Sequence, residues 1–224
     1  MFTKSINLDH LNERLLSLLN MSLAKTTFTC LQSNYNDASR SYHTLQHVFD
    51  CLRHFETLKK RFNDPDVVEL AIIFHDFIYD PLASNNEVES ARYARLALRC
   101  TSKLSQSQID RMCDLIKMTK DHNHDESCDA KLFLDIDMSI LGSKPKRYQE
   151  YVDQVRQEYV VSAQVPQLVF DQRRKAFLQI LLNNINNNGR RLFYTDYFHK
   201  KFGEQAEKNI AAELRHLYQK LNPK

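Results

Sequence analysis

Two neighbouring residues, His75 and Asp76, stand in a segment that is otherwise apolar. The run Val67-Val68-Glu69-Leu70-Ala71-Ile72-Ile73-Phe74 precedes them, with seven of its eight residues apolar, and apolar residues resume after Asp76. The pattern predicts burial. Burying an imidazole beside a carboxylate is costly unless both groups are satisfied, and a metal ion is one partner that satisfies both.

Further histidines and acids follow an order along the chain. In Ser41-Tyr42-His43-Thr44-Leu45-Gln46-His47-Val48 the two histidines are four apart, so a helix sets them on one face. The segment Ile116-Lys117-Met118-Thr119-Lys120-Asp121-His122 ends a helix with a histidine, and the apolar stretch 132–142 carries Asp135 and Asp137. Imidazole nitrogens and carboxylate oxygens suit zinc, manganese, iron, nickel or cobalt. The series offers no thiolate, which argues against a structural zinc knot. Ligands drawn from separate helices fit a site inside a helical bundle.

The elements that must carry these residues read as helices. Three glycines and five prolines in 224 residues leave little turn chemistry for hairpins. Apolar periodicity predicts helices near residues 7–19, 43–61, 65–80, 87–100, 105–120, 131–141, 146–161, 167–183 and 203–221. Asp64 or Asp66 can cap the helix leading to His75, and Pro81 ends it. The polar patch 183–189 reads as a helix stop. The expectation is one all-α domain over 1–224, a helical bundle with its metal-binding core at about 40–142 and a helical extension at about 143–224.

Composition narrows the function classes. The formal charge is +3, from 31 basic and 28 acidic residues, which makes no case for a nucleic-acid or membrane surface. The clusters Lys144-Pro145-Lys146-Arg147 and Arg173-Arg174-Lys175 read as solvated helix ends. The five cysteines, Cys30, Cys51, Cys100, Cys113 and Cys128, form no CxxC and no even set, so a reducing cytoplasm is expected. No apolar run approaches the roughly 18 residues of a membrane span, and the N-terminus lacks a signal-peptide pattern.

The ordered set resembles the HD superfamily of metal-dependent phosphohydrolases, whose signature is H…HD…D. The matching residues are His47, His75-Asp76 and Asp137. The segment Asp137-Met138-Ser139 is similar to the Asp-Leu-Ser that holds the last metal aspartate in the related cyclic-nucleotide phosphodiesterases. Asp135 is the alternative, and two residues away on a helix it should point elsewhere. A closer resemblance is to a bacterial subfamily described as predicted HD phosphohydrolases, through Tyr42-His43-Thr44-Leu45-Gln46-His47, Phe74-His75-Asp76-Phe77-Ile78-Tyr79-Asp80 and Asn86-Glu87-Val88-Glu89-Ser90-Ala91. Val155-Arg156-Gln157-Glu158-Tyr159 and Ala206-Glu207-Lys208-Asn209-Ile210 extend it, so that it spans most of the chain.

The resemblance implies His47, His75, Asp76 and Asp137 as ligands of a divalent ion (Mn, Mg, Co, Ni, Fe or Zn). Such an ion would bring the pKa of a coordinated water toward about 7. Asp76 could also orient or deprotonate that water. His43, one turn from His47, could donate a proton to the leaving oxygen or hold a phosphate, or could simply bond backbone at a helix start. His122 is a candidate for a second metal or a phosphate, as is Lys120, while His122 and His124 also fit an exposed polar loop. His54, about 10 Å along the helix from His47, reads as surface. Asn86 and Glu87 could hold water or substrate, or serve a helix N-terminus. Tyr42 and Tyr79 are expected to wall the pocket, and Arg156 is a candidate for phosphate charge.

These expectations define a phosphohydrolase acting on a phosphomonoester or phosphodiester, with a nucleotide among the candidate substrates. The alternatives are a non-catalytic metal- or nucleotide-binding module of the same shape and a di-iron oxygenase, the latter requiring a second metal site. A homo-oligomer stays open.

Overall fold

The computed structural model describes residues 7–188 and 191–222. Their regular secondary structure is all helical: α1 (Leu8–Leu18), α2 (Met21–Tyr35), α3 (Leu45–Leu58), α4 (Pro65–Phe74), α5 (Asn86–Leu98), α6 (Gln106–Met118), α7 (Cys128–Met138), α8 (Pro145–Arg156), α9 (Gln167–Asn188), α10 (Asp196–Phe198) and α11 (Glu204–Leu221). The chain forms two compact units, Met1–Leu134 and Asp135–Lys224, with the boundary falling inside α7. No described helix is long and apolar enough to cross a membrane.

The first unit is organised around α4. Val67 to Phe74 are all buried, and α4 packs against α3, α5 and α6. A helix enclosed by neighbours can be apolar all round, which is why its sequence lacks a polar stripe. Asp64 caps it, accepting from the Val67 N–H at 3.2 Å, and Pro65 occupies the first turn, where its missing N–H is no loss. The exception inside α4 is Glu69, whose side chain is 2% exposed. Its carboxylate meets His10 Nε2 at 3.1 Å and Arg14 Nε at 3.0 Å, both from α1. The start of α7 is tied to the start of α4: Asp129 accepts from the N–H groups of Asn63 at 2.8 Å and Asp64 at 2.9 Å.

In the second unit α11 packs against α9 and against the turn Ser139–Gly142. Gly142 is required there, since a Cβ would collide with the backbone and Cβ of Phe202. Asn209 of α11 secures the same turn by donating to the carbonyls of Leu141 and Ser143, each at 2.8 Å. Between α8, α9 and α11 lies a buried polar network. Arg174 grips Glu213 through two bonds, Nε to Oε1 at 2.8 Å and a terminal nitrogen to Oε2 at 3.1 Å, and also donates to Tyr151 at 3.1 Å. Tyr148 donates to the same carboxylate.

Three departures from the sequence expectation have local causes. Helix α2 was not expected. It is capped by the Asn20 side chain on Leu23 N–H at 3.0 Å, and its polar residues Thr, Ser, Gln and Asn weaken the apolar signal. The polar patch 183–188 continues α9 instead of stopping it, and Gly189 lies outside the described residues. Helix α4 ends at Phe74, not at Pro81, so His75 and Asp76 occupy its exit and not its interior.

Candidate metal centre

The exit from α4 leaves the last main-chain carbonyls without the amides that a continuing helix would supply. Side chains take several of them. His75 Nδ1 lies 2.9 Å from Ile72 O, Tyr35 donates its hydroxyl to Ile73 O at 2.9 Å, and the Phe77 N–H returns to Phe74 O at 3.1 Å. Arg40, from the connection between α2 and α3, donates to Asp76 O at 2.6 Å and Phe77 O at 2.8 Å. Beyond the turn, Ser90 Oγ of α5 accepts from the Ile78 N–H at 2.9 Å.

These bonds fix the chemistry of His75. A carbonyl only accepts, so Nδ1 carries the hydrogen and the lone pair of the neutral ring lies on Nε2. That Nε2 is 3.1 Å from His47 Nε2 and 3.0 Å from Asp76 Oδ2, and His47 Nε2 is 3.6 Å from the same oxygen. Both imidazoles are buried, and the Asp76 side chain is 18% exposed. Two acceptors, His75 Nε2 and Asp76 Oδ2, thus face one another and need a hydrogen or a cation between them, and His47 Nε2 is placed either to donate a hydrogen or to join them around a metal. Two imidazole nitrogens and a carboxylate oxygen within coordinating distance of a common point, with the remote nitrogen of one ring anchored to a carbonyl, fit a divalent ion. Burial opposes the charge on Asp76. When a proton is the shared cation, the imidazolium charge and hydrogen bond of His75, with the charges of His43 and His47, outweigh burial and hold the carboxyl well below the usual carboxylate range.

Helix α3 supplies His47, buried in its first turn behind the Thr44 cap. Around it stand aromatic rings. Tyr42 lies 4.8 Å from His47 and 5.0 Å from His43, and His43 stacks on Tyr79 at 4.0 Å with 25° between the planes. Phe133 of α7 meets His75 edge-on at 6.2 Å. So His43, Tyr42 and Tyr79 gather beside the His47, His75 and Asp76 trio.

Other candidates serve different places. Asn86 closes its own turn, accepting from the Asp80 N–H at 3.1 Å and donating to Asp80 O at 2.8 Å. Glu87 sits in the first turn of α5. Lys120 donates to Ser84 O at 2.8 Å, joining the segment after α6 to the loop before α5. His122 lies past the end of α6 with a left-handed φ of 47°. Arg156 ends α8 in the second unit, paired with Asp153.

The two aspartates of α7 differ. Asp135 is committed within the second unit, accepting from the N–H groups of Tyr194 at 2.7 Å and Thr195 at 2.8 Å and from the Thr195 hydroxyl at 2.6 Å. Burial pushes its carboxyl up to about 6 despite those donors. Asp137 is half-buried, one turn after Phe133 and therefore on the same side of α7.

Two neighbours of the trio escaped the sequence reading. Arg40 carries no motif signal. Cys51 does, since it follows His47 by four residues. Its Sγ is buried 3.8 Å from both ring nitrogens of His47, so a thiol stands next to the imidazoles after all. A second nitrogen–oxygen cluster, His10, Glu56 and Glu69, already has Arg14 and Lys59 against its carboxylates. Compared with family models and with curated proteins, the chain matches none.

Proposed function

We propose that the protein is a metal-dependent phosphohydrolase that cleaves a phosphomonoester or phosphodiester, with nucleotides as the first substrates to test. The observation that carries this reading is the meeting of His47 Nε2, His75 Nε2 and Asp76 Oδ2 within 3.0–3.6 Å of one another. It supports a divalent ion held by His47, His75 and Asp76, with Asp137 as the fourth ligand that the sequence resemblance assigns. When bound, such an ion supplies a more acidic water and neutralises charge on a phosphate.

The chain's own groups divide the remaining work. Asp76 turns Oδ2 toward the two imidazoles, which leaves its other oxygen to orient a water and take its proton. The His43 ring, braced on Tyr79, is suited to give a proton to the leaving oxygen or to hold a phosphate oxygen. Tyr42, itself buried, and Tyr79 wall the site and hold the His43 and His47 rings in place.

The decisive experiment is a phosphatase and phosphodiesterase screen on metal-free protein resupplied with Mn²⁺, Co²⁺, Mg²⁺ or Zn²⁺. Turnover that disappears in Asp76→Asn supports the enzyme. Tight nucleotide binding without phosphate release would replace it with the binding module, and two irons per chain on elemental analysis would favour the oxygenase.

A further inference from the structure

We infer that Arg40 is the positioning residue of this site. One guanidinium fixes the separation between the His43 segment and the His75–Asp76 pair. Arg40 is 8% exposed, and one of its terminal nitrogens donates both to His43 O at 3.1 Å and to Asp76 O at 2.6 Å, while the other donates to Phe77 O at 2.8 Å. Three carbonyls from two segments more than 30 residues apart in sequence are thereby held by one side chain.

The location favours a cation. Asp76 O and Phe77 O lie just past the C-terminal, negative end of α4, where a positive side chain is stabilised. Arg40 also lies over two aromatic rings: its guanidinium carbon is 5.1 Å from the centre of the Tyr35 ring and 5.6 Å from that of the Tyr79 ring. Tyr35 in turn holds Ile73 O, and Tyr79 carries the stacked His43 ring. Arg40 therefore touches, directly or through one ring, the backbone of Asp76, the backbone of His43 and the ring that braces His43. Its own place is set by a tight turn in which the Arg40 N–H returns to Asp37 O at 3.0 Å and Asp37 accepts from the Ser39 N–H at 2.8 Å. A lysine could not substitute, because a single ammonium lacks the planar fork that reaches several carbonyls at once.

The part of this inference that concerns metal rests on the metal reading above, so the test has a readout that does not. Full-length wild type, Arg40→Lys, Arg40→Gln and Arg174→Gln, a buried control in the second unit, are compared by Co²⁺ titration, following the visible ligand-field bands. They are compared again without metal, by the side-chain ¹⁵N shifts of labelled histidines. Groups one step behind metal ligands commonly govern about 10-fold to 100-fold in affinity. The expected order of Co²⁺ affinity is wild type above Arg40→Lys above Arg40→Gln, with altered bands in both Arg40 variants and wild-type Co²⁺ behaviour in Arg174→Gln. The His43, His47 and His75 shifts should move in Arg40→Gln and stay put in Arg174→Gln. If Arg40→Gln does not fold, Arg40→Lys alone is read. Wild-type affinity, bands and histidine shifts in the folded Arg40 variants would overturn the inference. If wild type itself binds no Co²⁺, the metal reading fails and the metal-free histidine shifts decide Arg40 by themselves.

Discussion

His75 Nε2 and Asp76 Oδ2 converge to 3.0 Å although the two residues are adjacent in sequence. Within a continuing α-helix, neighbours point about 100° apart and do not face one another. Here the α-helix ends at Phe74, and both residues lie in the tighter turn that follows it, closed by the Phe77 N–H on Phe74 O at 3.1 Å. The helix end is thus part of the site, and its consequences can be measured.

Metal binding should stabilise the fold. At a free metal concentration about 100 times Kd, a ligand specific for the native state adds about 2.7 kcal/mol. Melting of metal-free protein with added Mn²⁺, Co²⁺ or Zn²⁺ should show this gain, reversed by chelator. His75→Ala and Asp76→Ala should lose both the gain and the bound metal while keeping helical circular dichroism. Full metal stoichiometry in both variants would remove the site.

The two aspartates of α7 should separate by phenotype. Asp135→Ala strands two backbone N–H groups and a hydroxyl, at about 1–3 kcal/mol for each donor left buried and unsatisfied. It should lower the melting temperature strongly and leave the metal content of the folded fraction unchanged. Asp137→Ala, the ligand assigned by resemblance, should do the reverse. Elemental analysis beside calorimetry on both variants checks the pair, and a reversed pattern would exchange their roles.

Glu69 should confer a pH-dependent stability. Burial opposes its ionisation, but the His10 hydrogen bond and the charges of Arg14 and Lys59 prevail, so its folded pKa lies below the ordinary value. A depressed carboxyl stabilises the fold above its unfolded pKa, about 4.3, and that contribution disappears as pH falls through the folded value. The stability gap between wild type and Glu69→Gln should be widest near neutrality and narrow below pH of about 4. Urea midpoints between pH 7 and 3 would test it; a gap that grows on acidification contradicts the assignment.

Arg174 and Glu213, with side chains 7% and 8% exposed, should be strongly coupled. Removing one partner of a buried pair costs about 3–5 kcal/mol because the other charge is stranded, whereas replacing both with apolar residues costs much less. Arg174→Met and Glu213→Leu should each destabilise more than the double variant. Additive single effects in a double-mutant cycle would show that the pair is not coupled.

Much of this was legible in the residues themselves. The all-helical class follows from scarce glycine and proline and from recurrent apolar periodicity. Asp64 and Pro65 announce the start of α4, since capping chemistry is local to a few residues. The order His47, His75-Asp76, Asp137 named the metal-binding candidates; the same four-residue spacing that set His43 beside His47 also separates His47 from Cys51, a signal that was present but not used.

Tertiary structure decided what depends on partners far away in the chain. Nothing within reach of Phe74 in sequence ends α4 there; Arg40, Tyr35 and Ser90 take the groups that a longer helix would have paired. Nothing near Asp135 reserves its carboxylate for Tyr194 and Thr195. A side chain that bonds a distant main-chain group leaves no periodicity and no motif. Sequence therefore selected which residue types were available for chemistry, while long-range hydrogen bonds to backbone determined which of them were aimed at one point.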